Sequence, residues 1–273
     1  MVESDDYLLG RAPSEIERLR LQAEIYAPHS EHLLTLAGIG TGMRVLDIGC
    51  GAGDVTISAA RLVGPTGSAI GVDMNADVLE LARARVAEAG LDNVSLRQAT
   101  VPDIVLAEPV DALIGRQILI HLDDPVDAVR RLSALVRPGG LVSFQELSPR
   151  HAGSEPETPL VARAYGWVSD TLRARRGDPS SGNRLHRILR AAGFDGIGIA
   201  TEIPAGDADS ALPRYVAGTV NSLLPAIVAG GVATREEIGI ETLAERITAE
   251  LSERDAVLWP PGLVAVWADV PRH

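Results

Sequence analysis

Residues 45–54 read VLDIGCGAGD. An apolar strand pattern runs into Gly49, Gly51 and Gly53 at alternate positions, and a helical pattern, Val55 to Val63, begins immediately after. Glycine at such a turn permits positive φ and lets a ligand come close to the backbone, so a nucleotide-like group is expected to lie across it.

The dinucleotide fingerprint G-x-G-x-x-G, counted from Gly49 and Gly51, places its third glycine at position 54, where this chain has Asp54. A carboxylate at the helix start would face the pyrophosphate of NAD, and a like-charge contact near 4 Å costs about 4 kcal/mol at an effective dielectric of about 20. S-adenosylmethionine has no phosphate, carries a sulfonium cation and meets no such penalty. Asp73 closes the next strand in GVDMN (71–75), where its carboxylate can accept hydrogen bonds from both ribose hydroxyls. The same residue would serve either ligand. Met74, next in line, is placed to pack on an adenine.

Outward from this turn, short apolar strands alternate with helices: RVLDIG, Val55–Val63, SAIGVD, Ala76–Ala89, NVSLRQ, DALIG, Pro125–Val136 and GLVSFQEL. Turns such as Gly64-Pro65-Thr66-Gly67 and Pro138-Gly139-Gly140 separate them, and the pattern predicts a parallel sheet covered on both faces. Ahead of it, Ser14 and Glu17 have the form of a capping box, with Ile16, Leu19, Ala23 and Tyr26 at helical spacing; the helix is expected to end near Pro28, and Ser30 to cap a second one through Leu36. After Ser148 the alternation weakens. Helices are expected over Leu160–Arg175, Arg184–Ala192 and most of Asp207–Leu251, with strands in FDGIGIATEI and GLVAVWADV. Three regions follow: a helical flap (1–40), a ligand-binding core (41–148), and the rest of the sheet (149–273) with helical lid insertions at about 149–182 and 204–256.

Composition narrows the classes. A chain of 273 residues, 46% of them apolar, can bury a core without disulfide or metal. Its formal charge of -12 argues against a nucleic-acid partner, since phosphate-backbone binding relies on clustered cations. Cys50 is the single cysteine and the opening MVESDDYLLGR is acidic, so a cytoplasmic location is expected. Tyr215–Thr234 carries no charge, yet Pro225, Asn221, Ser222 and its glycines make it a poor membrane span; a lid or interface helix, and with it self-association, is expected instead.

With these residues in view, the sequence resembles the class I (Rossmann-like) S-adenosylmethionine-dependent methyltransferases. LDIGCGAG (46–53) is similar to their first motif, GVD (71–73) to their second, GRQILIHLDDP (115–125) to the segment after the fourth strand and LVRPGGLVSFQE (135–146) to the approach to the fifth. The likeness covers about residues 40–147. YLLGR and ERLRLQ near the N-terminus also resemble a bacterial small-molecule subgroup with a helical lid.

The resemblance implies a seven-stranded α/β sheet with its last strand antiparallel, and S-adenosyl-L-methionine as cofactor. It implies Asp47, Gly49, Cys50, Gly51 and Gly53 around the methionine and ribose, Asp73 on the ribose, and Gly115 and Arg116 near the methionine. Where the family often has an acidic residue beside the adenine, this chain reads Gln98-Ala99-Thr100 after Arg97. Tyr7, Arg18 and Gln22 are candidates for a flap over the cofactor.

The methyl acceptor is expected beyond the carboxyl ends of the first, fourth and fifth strands, with Arg116, His121, Tyr165, Trp167 and Tyr215 as candidate contacts. If the acceptor must lose a proton, His121 and Glu146 are the candidate bases, Glu146 being equally suited to pair with an arginine such as Arg116. Asp123 and Asp124 read as a helix cap before Pro125 rather than as metal ligands, and no D/N-P-P-Y segment is present, which disfavours methylation of nucleic-acid amines. The expected function is methyl transfer to carbon, nitrogen or oxygen of a small secondary metabolite. A non-methylating S-adenosylmethionine-binding cyclase and an NAD-linked oxidoreductase are the alternatives.

Overall fold

The computed structural model describes residues 13–176 and 181–272. In chain order the helices are α1 (Pro13–Ala37), α2 (Asp54–Val63), α3 (Ala76–Glu88), α4 (Pro125–Ser133), α5 (Pro159–Arg176), α6 (Leu185–Ala192), α7 (Leu212–Ala229), α8 (Arg235–Ile238) and α9 (Leu243–Arg254). The strands are β1 (Arg44–Ile48), β2 (Ser68–Asp73), β3 (Val94–Gln98), β4 (Val110–Arg116), β5 (Val136–Ser148), β6 (Gly153–Glu155), β7 (Gly198–Glu202), β8 (Val257–Trp259) and β9 (Gly262–Asp269). They form two compact units: a sheet unit within Ala27–Ser148, Ser180–Glu202 and Leu263–His273, and a helical unit within Met1–Tyr26, Pro149–Pro179 and Ile203–Gly262.

The sheet unit holds seven strands in the order β3-β2-β1-β4-β5-β9-β7. The pairs β1–β2, β1–β4, β2–β3 and β4–β5 are parallel, and β9 runs antiparallel to β7. Val45, Leu46 and Ile48 of β1 and Leu113 and Ile114 of β4 are fully buried, as expected of strands with helices on both faces. The register sets Asp47 beside Gly71 and Ile114, so the carboxyl ends of β1, β2 and β4 end side by side.

Three sequence expectations change here. The N-terminal segment is one helix, α1, with Pro28 inside it, rather than two helices broken at Pro28. A proline interior to a helix removes one N–H and crowds the preceding turn, but it does not end a helix whose next turn is anchored elsewhere. Leu33 and Leu34 are buried, and Ser30, read as a cap, is buried too: its hydroxyl donates to Gln145 Oε1 at 2.6 Å, while Gln145 Nε2 donates to the Ser30 carbonyl at 3.2 Å. Second, Pro138-Gly139-Gly140 lies within β5 instead of before it. The pairing jumps from Val110↔Val136 to Ala112↔Leu141, so the extra residues are accommodated as a bulge. Third, the strand expected in FDGIGIATEI shrinks to β7, because Phe194 is a buried core residue just after the left-handed Gly193 that closes α6.

The helical unit packs α5, α7, α8 and α9 around Leu160, Val161, Val216, Val220, Leu224, Ile227, Leu243, Ile247 and Leu251. A short antiparallel pair, β6 with β8, accompanies them. The uncharged run 215–234 therefore supplies much of this unit's own core, through Tyr215, Val216, Val220, Leu224 and Ile227. Among the described residues no helix is long and apolar enough to cross a membrane.

Candidate functional site

At the end of β1 the chain turns through Gly49, Gly51 and Gly53, with φ of 63°, 52° and 84°. The turn is pinned by its neighbours: Cys50 N–H donates to the Val72 carbonyl at 3.0 Å, Gly51 N–H to Asp73 Oδ2 at 2.9 Å, and Arg85 Nη1, from α3, to the Ala52 carbonyl at 3.0 Å. The glycines have different reasons to be glycine. A Cβ on Gly49 would sit 2.5 Å from Ile118 Cδ1, so this position is closed by packing; a Cβ on Gly51 would meet nothing within 4 Å. Gly51 is thus where a ligand has room to approach the backbone.

Asp73 accepts from Gly51 N–H with one oxygen and from Asn75 N–H, at 2.9 Å, with the other. Its carboxylate keeps further lone pairs. Met74, beside it, is 61% exposed, and Gln98 Nε2 donates to the Met74 carbonyl at 3.1 Å. Ala99 N–H donates to the Asp73 carbonyl, and the Thr100 hydroxyl to Asp103. The ends of β2 and β3 thereby form a small platform with an exposed apolar group on it.

Among the described residues, three buried side-chain atoms of this cluster have no hydrogen-bond partner: Asp47 Oδ1, Arg116 Nη1 and Asp54 Oδ1, the last of which has an ion-pair partner instead. Asp47, 1% exposed, accepts from the Thr56 hydroxyl through Oδ2, but its Oδ1 is unpartnered; burial pushes the carboxyl up to about 7. Arg116, with 7% of its side chain exposed, directs Nη2 to Asp54 Oδ2 at 3.3 Å and leaves Nη1 unpartnered. Asp54 Oδ1 is in turn 2.5 Å from Arg85 Nη2. Asp54 is not a bare negative charge at the start of α2 but is shared by two guanidiniums, so like-charge repulsion does not exclude a phosphate here.

The segment after β4 is shaped by the last residues of β5. Gln117 has a left-handed φ of 54°, uncommon for a non-glycine residue, and its N–H donates to the Gln145 carbonyl at 2.8 Å. Glu146, buried, accepts from Leu119 N–H at 2.9 Å, from Ile120 N–H at 3.4 Å and from the Ser181 hydroxyl at 3.0 Å. Glu146 is therefore a bracket for this turn and not the partner of Arg116; burial outweighs these bonds and raises its carboxyl to about 7. His121 ends the 3-10 turn Leu119–His121 and is exposed. Asp124 caps α4 by accepting from Asp127 N–H at 2.9 Å.

Other candidates fall elsewhere. Tyr7 lies outside the described residues, as do the side chains of Ser14 and Ile16. Gln22 accepts from Arg18 Nη1 at 2.7 Å, and Arg18 packs over Gly218 within the helical unit. In the same unit the Tyr165 hydroxyl donates to the Trp259 carbonyl at 3.2 Å, Trp167 is half-buried against the core, and Tyr215, 4% exposed, meets Tyr26 edge-on with ring centroids 5.9 Å apart. Tyr215 is thus a packing residue of that unit. His29 lies on α1, not in a helix break, 3.2 Å from Glu202, which His32 also contacts at 2.8 Å. Sequence reading missed Arg85 and Ser181; no local pattern marks either, since each acts on a residue more than 30 positions away.

A family described as "Methyltransferase domain" matches residues 39–193. Among characterised proteins, the chain is 36% identical over 152 residues to aklanonic acid methyltransferase DauC of Streptomyces sp. strain C5, covering 53% of this chain and 68% of that one. It is 33% identical over 144 residues to the ubiquinone/menaquinone biosynthesis C-methyltransferase UbiE of Pseudomonas aeruginosa strain LESB58, covering 51% of this chain and about half, 53%, of UbiE. In fold, it superposes on YcgJ of Bacillus subtilis with a TM-score of 0.58 at 20% identity, over 90% of this chain and 100% of that one. The glycine turn, the carboxylate closing β2 and the seven-stranded sheet agree with these matches: the chain belongs to the class I S-adenosylmethionine-dependent methyltransferases.

Proposed function

We propose that this enzyme methylates a small, quinone-like secondary metabolite, using Asp47 and Arg116 to seat the amino-acid end of S-adenosylmethionine. The observation that carries the assignment is the pair of buried, unpartnered atoms, Asp47 Oδ1 and Arg116 Nη1, at the ends of adjacent strands beside the open Gly51. An unpaired buried acceptor and donor are each costly, and a zwitterion satisfies both: its ammonium suits Asp47 and its carboxylate suits Arg116. A bound ammonium also favours the ionised form of Asp47, lowering a carboxyl that burial holds near 7. Asp73 is suited to the ribose hydroxyls, Met74 to the adenine face, and the amide oxygen of Gln98 to the adenine amine.

When bound, the cofactor supplies an electrophilic methyl carbon on sulfur, and no strong acid is needed for its transfer. The chain's contribution is alignment, which in favourable cases lowers a barrier by about 7–11 kcal/mol. We assign His121 to receive the acceptor's proton, because it is exposed on the turn after β4, next to the strand end that carries Arg116. Glu146 and Gln145 hold that turn in shape. The acceptor class rests on DauC, named for aklanonic acid, and UbiE, named for ubiquinone and menaquinone biosynthesis, and on the net charge of -12, which suits a small-molecule acceptor better than nucleic acid.

Calorimetric titration with S-adenosylhomocysteine, with NADH and 5′-methylthioadenosine as controls, tests the cofactor assignment. Binding of S-adenosylhomocysteine well above 5′-methylthioadenosine is expected; equal binding would sink the roles of Asp47 and Arg116. Incubation with quinols and S-adenosylmethionine should release S-adenosylhomocysteine, whereas turnover without that release would identify a cyclase.

A further inference from the structure

Asp54 sits at the first position of α2 and divides one negative charge between two arginines of the sheet unit. The division is uneven: 2.5 Å to Arg85, from the last turn of α3, and 3.3 Å to Arg116, at the end of β4. The trio carries a net positive charge. Arg116 is nearly buried; its Nη2 meets Asp54 and its Nη1 has no hydrogen-bond partner, so one buried donor is left for an anion.

We propose that Arg85 is a positioning residue for the amino-acid end of the cofactor: by holding Asp54 Oδ1 it keeps that carboxylate from closing on Arg116 and so preserves Arg116 as an anion receptor. The inference rests on the assignment of the cofactor carboxylate to Arg116. Without Arg85, Asp54 has one cationic partner instead of two. It then rotates into a two-oxygen pair with the Arg116 guanidinium, a geometry these groups favour. The unpartnered Nη1 is consumed, the local charge falls from one positive unit to zero, and an incoming carboxylate must compete with one already bound. Nothing in this chain of effects touches the nucleoside, which lies with Asp73 and Met74.

Arg85 has a second contact, Nη1 to the Ala52 carbonyl, that supports the glycine turn as a whole. The two roles separate by ligand. S-adenosylhomocysteine carries the zwitterion; 5′-methylthioadenosine carries the nucleoside and sulfur without it. The experiment is calorimetric titration of wild type, Arg85→Met, Asp54→Asn, the double variant and Arg116→Met with both ligands, each variant first checked for an unchanged circular-dichroism spectrum and cooperative melting.

Loss of a charge-assisted contact predicts that Arg85→Met weakens S-adenosylhomocysteine at least about tenfold and changes 5′-methylthioadenosine less than about twofold. With Asp54→Asn already present, there is no carboxylate to close on Arg116, and adding Arg85→Met should then weaken S-adenosylhomocysteine by less than about threefold, the mark of an effect relayed through Asp54. Parallel loss of both ligands in Arg85→Met would show that Arg85 only holds the turn, and unchanged affinity for both would show that it holds nothing needed; either result overturns the proposal. If Arg116→Met binds S-adenosylhomocysteine as wild type does, the underlying assignment of Arg116 fails first. If Arg116→Met weakens it and Arg85→Met does not, the assignment stands and only the role of Arg85 falls.

Discussion

Glu146→Gln separates the charge of Glu146 from its shape. In the native protein the side chain brackets the turn after β4 through Leu119 N–H, Ile120 N–H and the Ser181 hydroxyl, and burial raises the carboxyl from 4.5 to about 7. At about 1.4 kcal/mol per pH unit, that displacement corresponds to about 3 kcal/mol. The sign follows from proton binding. Between pH 4.5 and 7 the folded protein holds a proton that the unfolded chain has released, so this group's contribution is intact below pH 4.5 and is lost as pH rises to about 7. Glutamine is neutral throughout. Its amide oxygen can accept from Leu119 N–H, and the Ser181 hydroxyl can turn to accept from its amide nitrogen. The stability of wild type minus that of Glu146→Gln should therefore fall by about 3 kcal/mol between pH 4.5 and pH 8, equivalent to a relative shift in Tm of roughly 6–10 °C. Asp47, whose carboxyl is also raised, titrates in both proteins and cancels in the difference. Urea denaturation at pH 4.5, 6 and 8 measures it. A difference that does not change with pH would mean that the three donors balance burial, and one that rises with pH that they outweigh it; either would refute the reasoning.

Gly49→Ala should destabilise the fold by about 2–4 kcal/mol, because its Cβ would overlap Ile118 Cδ1 at a position with φ of 63°. Gly51→Ala has no such overlap and should cost only about 1–2 kcal/mol of backbone strain while abolishing S-adenosylhomocysteine binding; urea titration and calorimetry check both, and normal binding by Gly51→Ala would contradict the close approach of ligand to that turn. Asp73→Ala removes the acceptor for Gly51 and Asn75 N–H and should weaken S-adenosylhomocysteine by about 1.5–3 kcal/mol, read by the same titration. Pro28→Ala should stabilise the protein, by up to about 3 kcal/mol, because the helix continues through that position; a loss in urea denaturation would show that the proline shapes α1.

The sequence by itself determined the sheet and the place of the glycine turn. Strand and helix periodicities are local, so the run from Arg44 to Asp73 could be read residue by residue: β2 begins at Ser68 and ends at Asp73 as expected, and the turn glycines carry positive φ because the backbone there admits little else. Local rules failed where a distant partner intervened. Pro28 reads as a helix end until Ser30 is seen bonded to Gln145, and Pro138 reads as a turn until the β4–β5 bulge absorbs it. The electrostatics of the site were least legible. Whether Asp54 is bare or shared, whether Glu146 meets Arg116 or the backbone of Leu119, and which oxygen of Asp47 lacks a partner depend on side chains brought together from α2, α3, β4 and β5. Charge, burial and hydrogen bonding are decided by neighbours in space, and only the tertiary structure supplies them.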